Sequence, residues 1–503
     1  GLSNSPSPHP SSTAFSSYRH DHDLAGNYSR SVDSRRCISL SGYTGEMGMC
    51  LKLLGLVSVG SAIGIGVLWH VFTSVPDLPD IPLGYWGPGA PRKDDTAVKP
   101  FTINISEADV KDFEARLDNT RELVEPLEGI GFQYGFNSAY LKKIITFWQK
   151  NYKWSERQTF LNKFPQFKTQ IAGLNIHFIH VKPDPAKSKG KKIVPVILLH
   201  GWPGSVREFY EAIPMLTNQK VMPDVALELV VPSLPGYGWS DAARRPGMGP
   251  AQIGNIFNEL MKRLGHDKYF IQGGDWGSVI GSSMALLHPQ NVIGYHSNFC
   301  FNMGKVAMLH NLLGSMFPSL IVDEHMVDSF SGQFTNLIEE SGYFHIQATK
   351  PDTVGVGLTD SPAGLASYII EKFSTWTNKK WRDLPDGGLE NWDKTGLLDN
   401  VMIYWFSKSI TTSVRLYSEA FSSTYRNYKM DDIPVTVPTG CARFDNEIGF
   451  CPTMSLRHKF RDLVQITDYS KGGHFAAMEV PKTLTDDLVE FIKTVLSRKP
   501  KKE

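Results

Sequence analysis

The sequence predicts an α/β fold, in which a mainly parallel β-sheet is covered by helices on both faces. Three short apolar runs, residues 193–199, 227–231 and 269–271, are separated by longer segments with helical periodicity. Such short, mainly apolar runs are typical of strands that are buried on both faces, and strands that alternate with helices usually pair in parallel. Ligands bind beyond the carboxyl ends of such strands, so we expect the functional site there.

The third strand leads into an unusual turn at residues 269–278, Tyr-Phe-Ile-Gln-Gly-Gly-Asp-Trp-Gly-Ser. An apolar strand, two glycines, Asp275, a third glycine and an apolar helix follow one another, as in a nucleophile elbow, where crowding requires small residues two positions either side of the apex. A serine at the apex would indicate an esterase, whereas a carboxylate suits attack on an alkyl carbon with formation of an ester. The alternative is an ordinary turn in which Asp275 caps the helix.

A second turn, His200-Gly201-Trp202-Pro203-Gly204, follows the first strand. The glycine next to Trp202 lets the backbone approach the elbow, so that the backbone N–H groups of Trp202 and Trp276 are predicted to form an oxyanion hole. We assign the side chain of His200 to a hydrogen bond that stabilises the turn.

Composition narrows the class of protein. The 503 residues are 41% hydrophobic, and 52 Lys and Arg against 51 Asp and Glu leave a net charge of +1. This is enough chain for one large core or two ordinary ones, and nothing indicates a nucleic-acid partner. No cofactor or metal is predicted. The cysteines form no CxxC pair and are expected to be free thiols, at positions Cys37, Cys50, Cys300, Cys441 and Cys451.

The amino-terminal part contains a polar segment and then a long apolar one. Residues 1–46 lack an apolar period and are predicted to be disordered; Met47 or Met49 is our hypothesis for the natural start, with a non-native leader before it. Residues 53–72 form an apolar run that, at ~1.5 Å per residue, spans the ~30 Å core of a bilayer. A single membrane anchor over residues 49–74 is therefore predicted. A cleaved signal peptide is the alternative, but no small-x-small cleavage site follows.

The remaining chain is predicted to have four further parts. A helical extension contains a helix that begins near Ser106, and the first part of the core opens with a hairpin over 167–180, on which His177 and His180 are expected to be structural. A helical insertion then separates the two parts of the core. The four parts are the extension 84–165, the first core part 166–300, the insertion 301–430 and the second core part 431–498.

The elbow, the His-Gly-Trp-Pro-Gly turn and the Ser-x-Pro-Gly-Tyr-Gly segment at 233–238 together resemble the α/β-hydrolase epoxide hydrolases. The apolar run, residues 84–89 and residues 345–355 resemble the microsomal branch, which includes the insect juvenile hormone epoxide hydrolases. The resemblance runs from about residue 53 to the carboxyl terminus, with Tyr85 where the family usually has a second tryptophan. It implies an α/β-hydrolase fold with a helical lid, anchored in the endoplasmic reticulum membrane, that converts apolar epoxides to vicinal diols.

The catalytic partners of Asp275 are expected further along the chain, because an α/β-hydrolase places an acid and then a histidine after the nucleophile. His474 follows a strand and a pair of glycines and is the predicted general base; a core histidine is the alternative. The acid follows the strand at 435–440, where Asp445 and Glu447 are both candidates. Counted from Pro-Thr-Gly, the resemblance selects Glu447.

Ring opening of an epoxide needs an acid on the departing oxygen, and a neutral tyrosine with a pKa near ~10 can donate a proton there. The resemblance maps two such tyrosines onto Tyr343 and Tyr417 in the helical insertion. Spacing alone could not select them from the 18 tyrosines of the chain.

Three other functions are alternatives to an epoxide hydrolase. A haloalkane dehalogenase shares an aspartate elbow and a histidine base, but its lid holds halide through tryptophan or asparagine. A serine esterase is disfavoured because Ser278 and Ser282 lie in the helix after the apex. A non-catalytic, membrane-anchored binding protein would not need all the triad positions to be filled. The physiological epoxide, juvenile hormone or a xenobiotic, stays open, as does the oligomeric state.

Overall fold

A computed structural model describes residues 43–218, 222–327, 330, 332–449 and 451–498. Most of the segment that we predicted to be disordered, including Cys37, lies outside these residues. Residues 43–46 are helical, contrary to that prediction, because the first helix begins at Tyr43. Extending a helix by one turn costs far less free energy than nucleating it, so the apolar helix that follows can carry these polar residues.

The core is a nine-stranded sheet in which the strands lie in the order β1-β2-β3-β5-β4-β6-β7-β8-β9. From β5 through β9 every neighbouring pair is parallel, whereas β1, β2 and β3 are antiparallel to their neighbours. The predicted α/β fold and the hairpin are thus confirmed. The strands are β1 Lys99–Phe101, β2 Gln166–Ile171, β3 Leu174–Val181, β4 Lys192–Leu199, β5 Val225–Pro232, β6 Tyr269–Gly273, β7 Val292–Ser297, β8 Val435–Asn446 and β9 Phe460–Gly473.

The helices fall into three groups along the chain. Those before and within the first part of the sheet are α1 Tyr43–Thr73, α2 Glu107–Asp118, α3 Ser138–Asn151, α4 Trp154–Leu161, α5 Ala212–Leu216, α6 Pro250–Arg263 and α7 Asp275–Leu287. Those between β7 and β8, called the helical insertion, are α8 Lys305–Met316, α9 Pro318–Ile321, α10 Gln333–Glu340, α11 Gly342–Thr349, α12 Pro351–Asp360, α13 Pro362–Ile370, α14 Lys372–Thr375, α15 Lys394–Ser407, α16 Ile410–Ala420 and α17 Ser423–Arg426. The last are α18 Thr453–Lys459, α19 Ala476–Glu479 and α20 Pro481–Ser497.

The chain divides into two units, residues 1–71 and residues 72–503. Within the described residues, one helical stretch is long and apolar enough to cross a membrane, Gly55–Thr73, with 19 residues, a mean hydropathy of 1.7 and none of it buried. Length and composition alone support this assignment. They agree with the apolar run recognised in the sequence.

A buried ion-pair network holds the helical insertion to the rest of the protein. Asp399 of α15 is fully buried, and its carboxylate accepts hydrogen bonds from Arg157 of α4 at 2.6 Å and from Arg207 at 3.2 Å. The hydroxyl of Tyr152 donates to the other oxygen at 3.0 Å. Because a buried carboxylate needs several donors to replace its hydration, these residues hold α15 in one position over the core.

The expectation of free thiols is wrong for two of the cysteines. Cys300 and Cys441 form a disulfide between residues 141 positions apart in the chain, with Cα atoms 5.9 Å apart. Cys441 pairs with Ser297 across parallel neighbours β7 and β8, and Cys300 follows the end of β7. Sheet pairing therefore creates this proximity, which spacing in the sequence does not reveal. Cys451 is buried and is not part of a disulfide.

Candidate active site

Asp275 occupies the apex of a tight turn between β6 and α7. Its φ of 48° is in the left-handed region, and Gly274 rather than Asp275 is the cap of the helix, so the alternative of a capping aspartate is wrong. A Cβ atom on Gly273 would lie 2.4 Å from the carbonyl oxygen of Gly277, and one on Gly277 would lie 2.1 Å from that of Leu199. The glycines are required because neighbouring backbone occupies the space of a side chain. The turn thus has the predicted geometry of a nucleophile elbow.

The turn after β4 meets this elbow because β4 and β6 are parallel neighbours. The backbone N–H of Trp202 donates to Oδ1 of Asp275 at 2.7 Å. A Cβ atom on Gly201 would lie 2.1 Å from the same oxygen, which explains the glycine. The side chain of His200 bonds within its own turn, with Nδ1 3.0 Å from the oxygen of Gly201. One of the two backbone donors predicted for the oxyanion hole therefore contacts the carboxylate of Asp275.

His474 and Glu447 lie directly after the ends of β9 and β8, which are parallel neighbours. Nδ1 of His474 is 2.6 Å from Oε1 of Glu447, and Nε2 is 3.2 Å from Oδ2 of Asp275. The second contact lacks the alignment of a hydrogen bond, and Nε2 has no other partner within the described residues. Burial alone would lower the pKa of His474, but the charges of Glu447 and Asp275 hold this pKa well above its ordinary value.

The imidazole of His474 is also fixed by Trp376 of the helical insertion. The two rings are in edge contact, with centroids 4.9 Å apart, and the carbonyl of Trp376 accepts the backbone N–H of His474 at 2.9 Å. Asp445, the other candidate for the acid, is exposed on β8. The structure thus brings Asp275, His474 and Glu447 together and leaves Asp445 outside the group.

Tyr343 of α11 and Tyr417 of α16 close the site from the helical insertion. The ring of Tyr343 stacks on Trp202 with centroids 5.6 Å apart, and Tyr417 packs edge-on against Trp276 at 4.8 Å. Burial first, and then the charge of Asp275, raise the pKa of Tyr343 well above its ordinary value. Burial, Tyr343 and Asp275 do the same for the pKa of Tyr417. Both phenols are therefore neutral near pH 7 and can donate a hydrogen bond toward the site.

One residue of the site was missed from the sequence. Glu208 borders a cavity beside Asp275 and His474. Burial raises the pKa of Glu208 to about 8, with His474 opposing the rise and Asp275 adding to it. It is consequently a neutral carboxylic acid at pH 7. In the sequence, the one feature that could have pointed to Glu208 is its position four residues after Gly204. From sequence alone, however, a glutamate at such a position is an ordinary charged residue of a helical turn.

A separate group of side chains could hold a metal ion. His180 of β3, Glu228 of β5 and His266 converge, with Nε2 of His180 2.7 Å and Nε2 of His266 3.3 Å from Oε1 of Glu228. Although burial opposes it, the two imidazoles lower the pKa of Glu228 to about 2. The group lies near the start of β5, away from the elbow. The carboxylate of Glu228 and the imidazole of His180 form a buried hydrogen-bonded pair, in which each group satisfies the other. This agrees with the structural role expected of His180.

Comparison with known proteins identifies the family. Residues 98–209 match the family model "Epoxide hydrolase N terminus", and residues 194–298 match the model of the alpha/beta hydrolase fold. Juvenile hormone epoxide hydrolase 2 of Ctenocephalides felis is 47% identical over 462 residues, 91% of this chain and 98% of the relative. The chain belongs to the epoxide hydrolase family.

Further relatives extend this result. Epoxide hydrolase 1 of Sus scrofa is 42% identical over 446 residues, 87% of this chain and 98% of the relative. The crystal structure of juvenile hormone epoxide hydrolase from the silkworm Bombyx mori has a TM-score of 0.80 and 49% identity, and the match covers 83% of this chain and 99% of that one. The predicted α/β-hydrolase fold and the prediction of an epoxide hydrolase are confirmed. The dehalogenase and the non-catalytic binding protein are accordingly set aside.

Proposed function

We propose that this enzyme hydrolyses apolar epoxides to vicinal diols through an ester between the substrate and Asp275. The observation that carries the proposal is the pair of contacts on one carboxylate, with the N–H of Trp202 2.7 Å from Oδ1 and Nε2 of His474 3.2 Å from Oδ2. A nucleophile, a base and a donor for an oxyanion thus adjoin one another at the ends of three strands. This is the set of groups that covalent catalysis requires.

In the first step, a carboxylate oxygen of Asp275 attacks the less hindered carbon of the epoxide ring. The carbon–oxygen bond of the ring breaks on the opposite side, and the departing oxygen takes a proton from Tyr343 or Tyr417. The burial that raises the pKa of both tyrosines keeps each phenol protonated until negative charge develops on that oxygen. The product of this step is a hydroxyalkyl ester of Asp275.

In the second step, His474 removes a proton from water, and the water attacks the carbonyl carbon of the ester. The tetrahedral intermediate then breaks the ester bond, the departing alkoxide takes the acid proton of Asp275 to give the diol, and the proton on His474 returns to the tyrosine. Forming the ester removes the charge of Asp275, which is one of the charges that raise the pKa of His474. The imidazole therefore loses a proton more readily in the intermediate than in the free enzyme. The N–H groups of Trp202 and Trp276 would stabilise the oxyanion, and the latter belongs to the first turn of α7, where helix N–H groups lack intrahelical partners.

Glu208 is proposed to hold the water of the second step. Its carboxyl group borders the same cavity as Asp275 and His474 and stays protonated below about pH 8. A neutral carboxyl can donate to the water or accept from it without adding negative charge next to the developing oxyanion. A carboxylate at this position would oppose the reaction.

One turnover in oxygen-18 water tests the ester. Unlabelled enzyme should release unlabelled diol in the first turnover, because the transferred oxygen comes from Asp275, and the label should appear in the peptide that contains Asp275. Labelled diol from the first turnover, with an unlabelled peptide, would show direct attack of water on the epoxide and would contradict the proposal.

The substrate and the membrane belong to the same proposal. We propose anchoring as a single-pass protein of the endoplasmic reticulum through Gly55–Thr73, and substrates that partition from the bilayer, either juvenile hormone or xenobiotic epoxides. The name of the relative at 47% identity, juvenile hormone epoxide hydrolase 2, supports the hormone, whereas the relative at 42% identity is named epoxide hydrolase 1, without a substrate. The ratio of kcat/KM for juvenile hormone to that for styrene oxide, measured on the same membranes, decides between them. Release of the enzyme by alkaline carbonate would contradict the anchor.

The tyrosines give a prediction for the first step. Tyr343→Phe and Tyr417→Phe should each slow ester formation, and the double variant should slow it by roughly 10²–10⁴-fold, the range typical of general acid catalysis. Stopped-flow fluorescence of Trp202 and Trp276, which contact these rings, measures the step. Tyr425→Phe removes a partly buried phenol elsewhere in the helical insertion and should leave the rate unchanged. A wild-type rate in the double variant would remove both tyrosines from the mechanism.

Glu447 gives a prediction for pH dependence. Its carboxylate raises the pKa of His474, so Glu447→Gln should lower that pKa and move the acidic decline of ester hydrolysis to lower pH by about 1–3 units. The maximal hydrolysis rate should fall by roughly 10²-fold or more, because the imidazole loses its orienting partner. Single-turnover hydrolysis between pH 5 and 9 measures both. Asp445→Asn changes the exposed neighbouring carboxylate and should reproduce the wild-type profile; an unshifted profile in Glu447→Gln would contradict the assignment.

Glu208 gives a prediction at alkaline pH. Since its pKa is about 8, hydrolysis of the ester should decline above that pH as a negative charge forms next to the oxyanion site. Glu208→Gln keeps the size and the donor but cannot ionise, so the alkaline decline should disappear. Retention of the decline in the variant would show that another group titrates.

A further inference from the structure

The first two helices of the insertion expose a continuous row of apolar side chains. Met308, Leu312 and Met316 recur every four residues along α8 with exposed fractions of 62%, 59% and 61%, and Phe317 and Leu320 continue the row at 52% and 72%. Side chains four residues apart lie on one face of a helix. We call these five residues the α8 apolar face. Single exposed apolar residues are ordinary, whereas a contiguous patch marks an interaction site.

The charge of this segment is equally unusual for a surface helix. Residues 306–322 contain no Asp, Glu, Lys or Arg, and their one ionisable side chain, His310, lies 3.0 Å from the hydroxyl of Ser455. A helix on a water-exposed surface normally carries charged residues on its outer face. The inner face of α8 packs against the protein through buried Ala307 and Gly314. The outer face is therefore suited to an apolar partner.

The position of α8 identifies that partner. Nζ of Lys305, the first residue of α8, donates to the carbonyl oxygen of Ser74 at 2.6 Å and lies 3.1 Å from its hydroxyl. Ser74 directly follows Gly55–Thr73, the candidate membrane span. When that span crosses a bilayer, Ser74 lies at the membrane surface, and the start of α8 lies there with it.

We propose that the α8 apolar face docks into the lipid bilayer next to the membrane anchor. The proposal rests on the anchoring in the proposed function and adds a second contact with the membrane. At ~1.5 Å per residue, the 12 residues of α8 extend ~18 Å, which suits a helix in the plane of the interface with its apolar face ~5–10 Å deep.

A depth measurement on the full chain tests the proposal. A fluorescent NBD group is attached to Leu312→Cys after Cys37 and Cys50 are changed to serine, and the protein is reconstituted in phosphatidylcholine vesicles that contain acyl-chain doxyl lipids. Val356→Cys is the matched control, since Val356 is 72% exposed and Leu312 is 59% exposed; the helix of Val356, α12, is joined through Asp360 to Arg116 of α2, whereas α8 contacts α18. Leu56→Cys, within the candidate span, reports the anchor itself.

The expected result is at least threefold stronger quenching by doxyl lipid at position 312 than at position 356, together with protection from aqueous iodide. Quenching at position 56 without quenching at 312 would overturn docking while the anchor stands. Quenching at 312 without quenching at 56 would support docking and remove the anchor. Protection of position 312 from iodide without quenching by lipid would assign the face to a second copy of the chain and overturn the proposal, as would an absence of quenching at both positions.

Discussion

Asp275→Ala is expected to abolish epoxide hydrolysis, with kcat/KM reduced by at least about 10⁴-fold, as when the nucleophile of a covalent mechanism is removed. Of the described carboxyl groups beside the site, neither Glu208 nor Glu447 can replace it. Glu208 is protonated below about pH 8, and Glu447 accepts from His474 at 2.6 Å and faces the other side of the imidazole. The measurement is the rate of diol formation at substrate concentrations below KM, together with the mass of the intact protein, which should not increase by the mass of the substrate.

The fold should survive this change. Within the described residues, the Asp275 side chain accepts one backbone hydrogen bond, from Trp202, and alanine takes up less of the space beside Gly201 than aspartate does. Thermal unfolding of Asp275→Ala is therefore expected close to that of the wild type, and Asp445→Asn serves as a control that removes an exposed carboxylate and retains activity. More than about 1% of wild-type turnover in a well-folded Asp275→Ala would contradict the role of nucleophile.

His474→Gln is expected to trap the ester. The alkylation step needs Asp275 and the tyrosines, so it should stay within about tenfold of the wild-type rate, whereas hydrolysis loses its general base and should slow by roughly 10³–10⁴-fold. The intact protein should gain the mass of one substrate molecule within a single turnover. Proteolysis and mass spectrometry should place this addition on the peptide that contains Asp275.

Two outcomes would contradict this assignment. If His474→Gln turned over as fast as the wild type, another group would be the base. If neither an ester nor a diol formed, His474 would be needed for the first step as well. The 3.2 Å contact between Nε2 of His474 and Oδ2 of Asp275 does not require such a role. Glutamine is preferred to alanine because it retains a polar group that can still contact Glu447 and so limits the cost of an unpaired buried carboxylate.

The elbow and the histidine could be predicted because the residues that mark each of them are neighbours in the sequence. Gly273 is small because the backbone of Gly277, within the elbow itself, fills the space beside it, whereas Gly277 is small because the backbone of Leu199 on the neighbouring strand β4 lies against it. The choice between Asp445 and Glu447 was harder, because it depends on where β8 ends. The strand continues through Asn446, which leaves Asp445 on the strand and makes Glu447 the first residue beyond it.

Tertiary packing decided the parts that local sequence could not. Tyr343 and Tyr417 could be predicted only through the resemblance. They lie on helices that are far apart in the chain, and packing brings these helices to Trp202 and Trp276. The disulfide between Cys300 and Cys441 follows from the pairing of β7 with β8, and the expectation of free thiols failed for that reason.

The sequence by itself determined the α/β order of elements, the strained turn at Asp275 and the apolar run that ends at Thr73, because each depends on residues within one segment. Only the tertiary structure decided that Glu208 borders the cavity as a neutral acid and that the start of α8 adjoins Ser74. The reason is physical: desolvation and proximity are set by every segment that packs around a group, and no single segment records them.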